Sequence, residues 1–269
     1  MKTTTINYLI YVLIFLAVSV PILVPLGLPL VVSKPTRDVY EAIQSLPANS
    51  VVVLDVTYDP INEVEQWPMT LALMEHLFTR PVKIVLVSLV HVGGVVYTLR
   101  ALNIVDKHGK VYGQDYVYLG YFAGVEAAMS AFVSDMHTLA KTDFYGTPID
   151  QIPMMKNIRT GKDINLFITL TTAYTSSYIG LIQAPFKMPM AIATVSVSIP
   201  EVRAYYNAGQ VVGFLNGIRG AAEYEKLINR PYWGLGLMDA ISVTHVILIG
   251  FVVLGNIQYF YNRRKSGGK

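Results

Sequence analysis

Cysteine is missing from all 269 residues, which excludes disulfide frameworks, thiolate nucleophiles and cysteine-ligated metal sites. Charge is scarce too. Only 14% of residues are Asp, Glu, Lys or Arg, against about a quarter in an average soluble domain. With 53% of the residues hydrophobic, part of the chain is expected in lipid. Also absent are the HExxH, GxSxG, Walker and zinc-ligand spacings that mark hydrolases, nucleotidases and metalloproteins. An enzyme built on this chain would have to gather its groups from scattered positions, so the expectation is a non-enzymatic protein with no cofactor and no metal.

What is present begins with two uncharged stretches, Ile6 to Val32 and Ala240 to Tyr261. Roughly 20 apolar residues cross a bilayer, so each is long enough to span. The first has an apolar run longer than a signal peptide's, with no A-x-A-like site after it, and reads as an uncleaved anchor. Pro21, Pro25 and Pro29 recur every four residues within it, each removing an amide donor, so its last third is expected to be kinked or extended. The second stretch is bracketed by Tyr232 and Trp233 upstream and by Tyr259, Phe260 and Tyr261 downstream, the placement of interfacial aromatic belts. Arg263, Arg264, Lys265 and Lys269 follow, and the positive-inside bias keeps such a tail cytoplasmic.

The expected organisation is an N-terminal anchor over residues 1–33, an α/β domain over 34–236, a second transmembrane helix over 237–262 and a basic tail over 263–269. Two spans put both termini on one side of the cell membrane and the middle domain outside the cytoplasm. Residues 34–236 hold 16 Lys and Arg against 17 Asp and Glu. The sequence pI near 8.9 therefore belongs to the tails, and no nucleic-acid face is expected. Within the second span His245, Asn256 and Gln258 are polar groups in lipid and predict contact with the first span or a partner subunit. Gly250 and Gly255 are five apart, so the GxxxG spacing is missing there.

Between the anchors, six β-rich runs occupy residues 51–56, 82–90, 116–121, 164–171, 190–198 and 210–215. They are near-continuously apolar, as strands buried on both faces of a parallel sheet are. Helical spacing separates them: Leu71, Met74, Leu77 and Phe78 mark one face, and Val125, Met129, Phe132, Val133, Met136 and Leu139 another. Weaker helical stretches cover 93–106, 174–183, 200–207 and 217–229. The alternation predicts a Rossmann-like, doubly wound, mostly parallel sheet of about six strands, flanked by one N-terminal and one C-terminal transmembrane helix. Residues 141–163 carry two prolines and little periodicity, and a connection that long suggests an interaction arm.

In open α/β sheets ligands bind beyond the carboxyl ends of the strands. That rule selects Asp55, Thr57, His91, Thr171, Thr172, Thr175 and Ser176 as candidate ligand-binding residues. Around Asp55 the acids divide. Asp59-Pro60 fits a helix N-cap followed by proline, Asn62-x-x-Glu65 fits a capping-box-like start, and Glu63 and Glu65 complement a helix N-terminus. Pro68 is expected to limit how far upstream a regular helix runs. Gly93 and Gly94 read as a tight strand-to-helix turn. Gly209, Gly213, Gly217 and Gly220 permit close backbone approach, to a helix or another subunit. The preferred function is an assembly or scaffold subunit of a membrane protein complex, with the lipid bilayer and homo- or hetero-oligomeric membrane proteins as partners. A small-ligand-binding or sensory domain using the Thr/Ser-rich strand ends is the alternative, and a hydrolase using Asp55 the third reading.

Overall fold

The computed structural model describes residues 3–266, with side chains from 7 to 264. Lys269 and the side chain of Lys265, part of the basic tail expected to stay cytoplasmic, lie outside the described residues. Two compact units are present. One comprises the terminal segments up to Pro29 and from Leu235 onward, the other runs from Leu30 to Gly234.

In the larger unit each of the six apolar runs contains a strand: β1 (Val51–Thr57), β2 (Lys83–Ser88), β3 (Tyr116–Tyr121), β4 (Leu166–Thr171), β5 (Met190–Thr194) and β6 (Gly213–Asn216), the expected run 190–198 ending instead in a 3-10 turn over Ser196–Ser198 and the run 210–215 becoming strand only from Gly213. Every pairing is parallel, and the order is β3-β2-β1-β4-β5-β6. Strand order therefore reverses between β1 and β4, the topological switch point of a Rossmann-like sheet. Both faces are buried, which explains the absence of strict alternation. Val52, Leu54, Ile168 and Leu86 face one apolar layer, and Val53, Val85, Phe167 and Ile192 the other.

Helices cover both faces. They are α2 (Lys34–Gln44), α3 (Glu63–Thr79), α4 (Gly93–Ile104), α5 (Glu126–Ser134), α6 (Met136–Leu139), α9 (Ile199–Asn207) and α10 (Gly217–Ile228). After β4 the chain forms α7 (Thr175–Tyr178), a π-helical turn over Ile179–Gln183 and α8 (Ala184–Phe186). The apolar spacing over 125–139 predicts one helix, but the structure has two. Asp135 interrupts it and caps α6, accepting from the amides of His137 and Thr138. Pro68 lies inside α3, contrary to the expected limit. The carbonyl its ring leaves without an amide donor is that of Val64, in the exposed first turn.

Residues 141–163, expected as an arm, are a packed layer of short 3-10 turns. Ile149, Ile152, Met154, Met155 and Ile158 are buried in the same core as α5. His137 pins the layer, with Nδ1 2.8 Å from Asp150 and Nε2 3.0 Å from the Met155 carbonyl.

In the smaller unit, α1 (Thr3–Leu23) ends where the prolines cluster, and residues 24–33 are non-helical. Its apolar part is Asn7–Leu23. The other helix, α11 (Gly234–Ser266), contains the one stretch among the described residues long and apolar enough to cross a membrane, Gly234–Arg264. The two segments meet closely. A Cβ on Gly236 would lie 2.8 Å from the Pro21 carbonyl, and Asp239, 5% exposed, accepts the amides of Leu26, Gly27 and Leu28 at 2.7, 3.0 and 3.3 Å. His245 and Asn256 bond back to carbonyls of their own helix, Ile241 and Val252.

Candidate functional site

At the switch point the strand ends carry a row of polar side chains. Thr57 is the register partner of Thr171, and Thr194 of Asn216. Leu170 opposite Ala193 sets Thr171 beside Thr194. Register neighbours in a parallel sheet share a face, so these four residues line one face of the edge. One row deeper Asp55 lies opposite Thr169.

Asp55 is fully buried. Its Oδ1 accepts the Leu89 amide at 3.0 Å, and its Oδ2 accepts the Thr169 hydroxyl at 3.0 Å and the Tyr178 hydroxyl. Burial pushes the carboxyl up from 3.8 to about 7, with the three hydrogen bonds opposing the rise. Such a group fastens β1 to β4, to α7 and to the segment after β2, with no surface on which to meet a substrate. Thr57, also fully buried, accepts the amides of Val90 and His91 at 2.7 Å each. The Thr171 hydroxyl donates to the Ala173 carbonyl at 2.7 Å, and the Thr172 carbonyl accepts the Ser198 hydroxyl at 3.2 Å. Of the seven candidate residues, Asp55, Thr57, Thr171 and Thr175 are therefore buried beneath the edge, and His91, Thr172 and Ser176 reach its surface.

The acids after β1 are each engaged within the protein, though not as a capping box, for Asn62 makes no side-chain cap bond. Asp59 Oδ1 accepts Asn62 Nδ2 at 2.8 Å. Glu63 accepts the Tyr97 hydroxyl at 3.0 Å and pairs with Arg100 at 2.9 Å, whose guanidinium stacks 4.5 Å over the Trp67 ring. Glu65 reaches furthest: its Oε2 accepts the amide and hydroxyl of Ser196 at 2.9 and 2.7 Å. Gly217, the first residue of α10, has φ +48°, and a Cβ there would stand 2.0 Å from the same Glu65 oxygen. The Glu65 carboxylate therefore stands directly beside the first residue of α10. Beside it Gln66, fully buried, donates Nε2 to the Thr171 carbonyl at 3.0 Å. Glu65 and Gln66 thus tie the start of α3 to the ends of β4 and β5.

The glycine pair between β2 and α4 allows a close backbone approach. A Cβ on Gly94 would fall 1.8 Å from the Val56 carbonyl oxygen, and one on Gly93 2.8 Å from that of Tyr58. The start of α4 therefore lies directly against the end of β1. Sequence reasoning identified the turn but not the contact, and it missed the Glu65–Ser196 link, for which 131 residues of separation leave no local signal.

At this end of the sheet the segments after the strands expose apolar side chains. Ile61 and Val197 are 87% and 83% exposed, and Val92, Val64, Val96 and Tyr174 between 64% and 43%. Gly93 against Asp59 and Pro60, Glu65 on Ser196 and Ser198 on Thr172 join the loops after β2, β1, β5 and β4 into one crest.

A second feature involves the C-terminal parts of α2, α3 and α10, where a cleft of about 160 Å³ is lined by residues including Tyr40, Gln44, Glu75, His76 and Arg230. Glu75, 2% exposed, holds Arg230 at 3.3 Å, His108 at 3.0 Å and the Tyr232 hydroxyl at 2.9 Å. His76 stacks on Tyr40, donor and acceptor positions being filled by Tyr224 and Gln44, and burial lowers its pKa to about 4. Among the described residues no group of three His, Asp or Glu could hold a metal ion.

Fold and site define a Rossmann-like α/β domain in which Glu65 and Gln66 bond to the segments at the ends of β4 and β5. Comparison with protein families, with curated proteins and with solved structures finds no match.

Proposed function

We propose that this chain is a non-enzymatic subunit of a membrane protein complex, held by two spans, whose α/β domain docks a partner through the apolar crest at the strand ends. The observation that carries the reading is that the segments at the strand ends expose Ile61, Val64, Val92 and Val197, while Glu65 and Gln66 beside them are bonded to Ser196 and the Thr171 carbonyl. Contiguous exposed apolar surface rimmed by polar groups marks interaction sites. In this reading α1 and α11 cross the cell membrane together, fastened by Asp239, with both termini cytoplasmic and the domain outside, as the arginines at 263 and 264 favour.

Native mass spectrometry after gentle detergent extraction tests it. The wild-type chain is expected in a complex heavier than the monomer, and Ile61→Asp with Val197→Asp to release the monomer. Monomer alone from the wild type opposes the proposal.

A ligand-binding role has one observation in its favour. The Thr194 hydroxyl, Asn216 Oδ1 and Gln66 Oε1 are buried without a hydrogen-bond partner, the kind of groups a small polar ligand satisfies. A thermal-shift screen on the full chain decides it: a ligand whose stabilisation vanishes in Thr194→Val supports that role, and stabilisation unaffected by the variant removes it.

A further inference from the structure

The crest is not only apolar; the charges nearest the strand ends have one sign. From Thr57 to Gln66, Ser88 to Leu99, Tyr121 to Ser130, Thr171 to Gly180 and Thr194 to Val202, the segments leaving β1 to β5 hold Asp59, Glu63, Glu65, Glu126 and Glu201 and not one Lys or Arg. The residues that follow two of these segments are basic: Arg100 on α4 neutralises Glu63, and Arg203 on α9 lies over the Phe214 ring. Among the described residues the other four acids have no Lys or Arg within ion-pair distance. Glu126 accepts only the neutral Ser177 hydroxyl at 2.7 Å, and Glu65 only Ser196.

Resting on the docking reading above, we infer that the crest binds a cationic, apolar segment of another protein, one that sets aliphatic or aromatic side chains against Ile61, Val92 and Val197 and Lys or Arg against Asp59, Glu126 and Glu201. Charge complementarity selects this occupant. A second copy docking through the same face would bring uncompensated acids against their own equivalents, and like charges juxtaposed across an interface are strongly disfavoured. Anionic lipid and phosphate-bearing ligands meet the same repulsion. The apolar centre supplies the burial that drives association, while the acidic rim steers the encounter and fixes which partner is accepted.

The test places a photo-crosslinking amino acid at Val197 in the full chain, irradiates native membranes and sequences the attached peptide. The expected product is a segment of a different protein that is apolar and net positive around the adduct. Exchanging the exposed rim acids, Glu126→Lys with Glu201→Lys, is expected to cut the adduct yield about tenfold at low salt and much less at about 0.5 M salt, where charges are screened. A net acidic or uncharged peptide overturns the inference and leaves the docking reading standing, as does an adduct between two copies of this chain. Adducts to lipid alone, or no adduct, overturn both. An unchanged yield in the charge-exchange variant overturns the electrostatic selection even when a basic segment is captured.

Discussion

Replacing Asp55 by asparagine keeps the shape of the buried fastener and removes its titration. In the folded chain burial raises this carboxyl from 3.8 to about 7. Between those values the unfolded chain has lost the proton and the folded chain keeps it, so stability falls as pH rises through the window and levels off above it. Each pKa unit is worth about 1.4 kcal/mol, so the stability lost by pH 7 is about 4 kcal/mol. His76 acts with the opposite sign. Its pKa is lowered from 6.5 to about 4, so protonation of the unfolded chain removes stability as pH falls through that interval, by about 3 kcal/mol. The two act in opposite directions in the wild type, and the difference between wild type and Asp55→Asn isolates the first. Thermal unfolding of both proteins in the same nanodiscs, from pH 4 to 8, provides the assay. Asp55→Asn is expected to gain on the wild type as pH rises and to stop gaining near pH 7. The total relative change is about 8–16 °C, at about 2–4 °C per kcal/mol for a domain of this size. A constant difference across that range, or one that shrinks with rising pH, would refute the reasoning that Asp55 is enclosed and neutral below pH 7.

Three further outcomes follow from the packing. Gly94→Ala drives a methyl into the Val56 carbonyl and is expected to cost about 3 kcal/mol or more, read as loss of folded protein in limited proteolysis. Glu65→Ala strips the acceptor from the Ser196 amide and hydroxyl and is expected to cost about 1–3 kcal/mol, with Glu65→Gln intermediate in the same denaturation assay. Asp239→Ala leaves three amides of residues 26–28 without their carboxylate and is expected to loosen the two terminal helices by about 2–3 kcal/mol. Cross-linking between cysteines introduced at Ala17 and Ala240 should then change in rate, and an unchanged rate would count against the clasp.

The strands were legible because burial on both faces leaves little room for polar residues: β1 reads VVVLDVT, with Asp55 the lone intruder. That intruder could be seen but not interpreted, since its partners Thr169 and Tyr178 lie on distant elements and only the parallel register brings them together. The helix α2 went unseen because four charged residues, Lys34, Arg37, Asp38 and Glu41, surround a narrow stripe of Thr36, Val39 and Ile43. Gly217 was recognised as a point of close approach, yet the approaching group, the Glu65 side chain, is set by tertiary folding. In the terminal helices the small-residue face is marked by Gly236 and Ala240, four apart and buried, and not by Gly250 and Gly255. The crest was invisible for a related reason: its apolar residues are dispersed over four loops, and a loop's isolated valine carries no sign of what the neighbouring loop exposes.

The docking claim meets its most direct test in the accessibility of Val197. Because the chain has no cysteine, Val197→Cys can be labelled alone with a maleimide reagent in open membrane fragments and in purified, detergent-dispersed protein, with Asn103→Cys, exposed on α4, as reference. The account predicts that position 197 is protected in membranes relative to 103 and becomes as reactive as 103 after purification. Equal reactivity of the two positions in native membranes would contradict it.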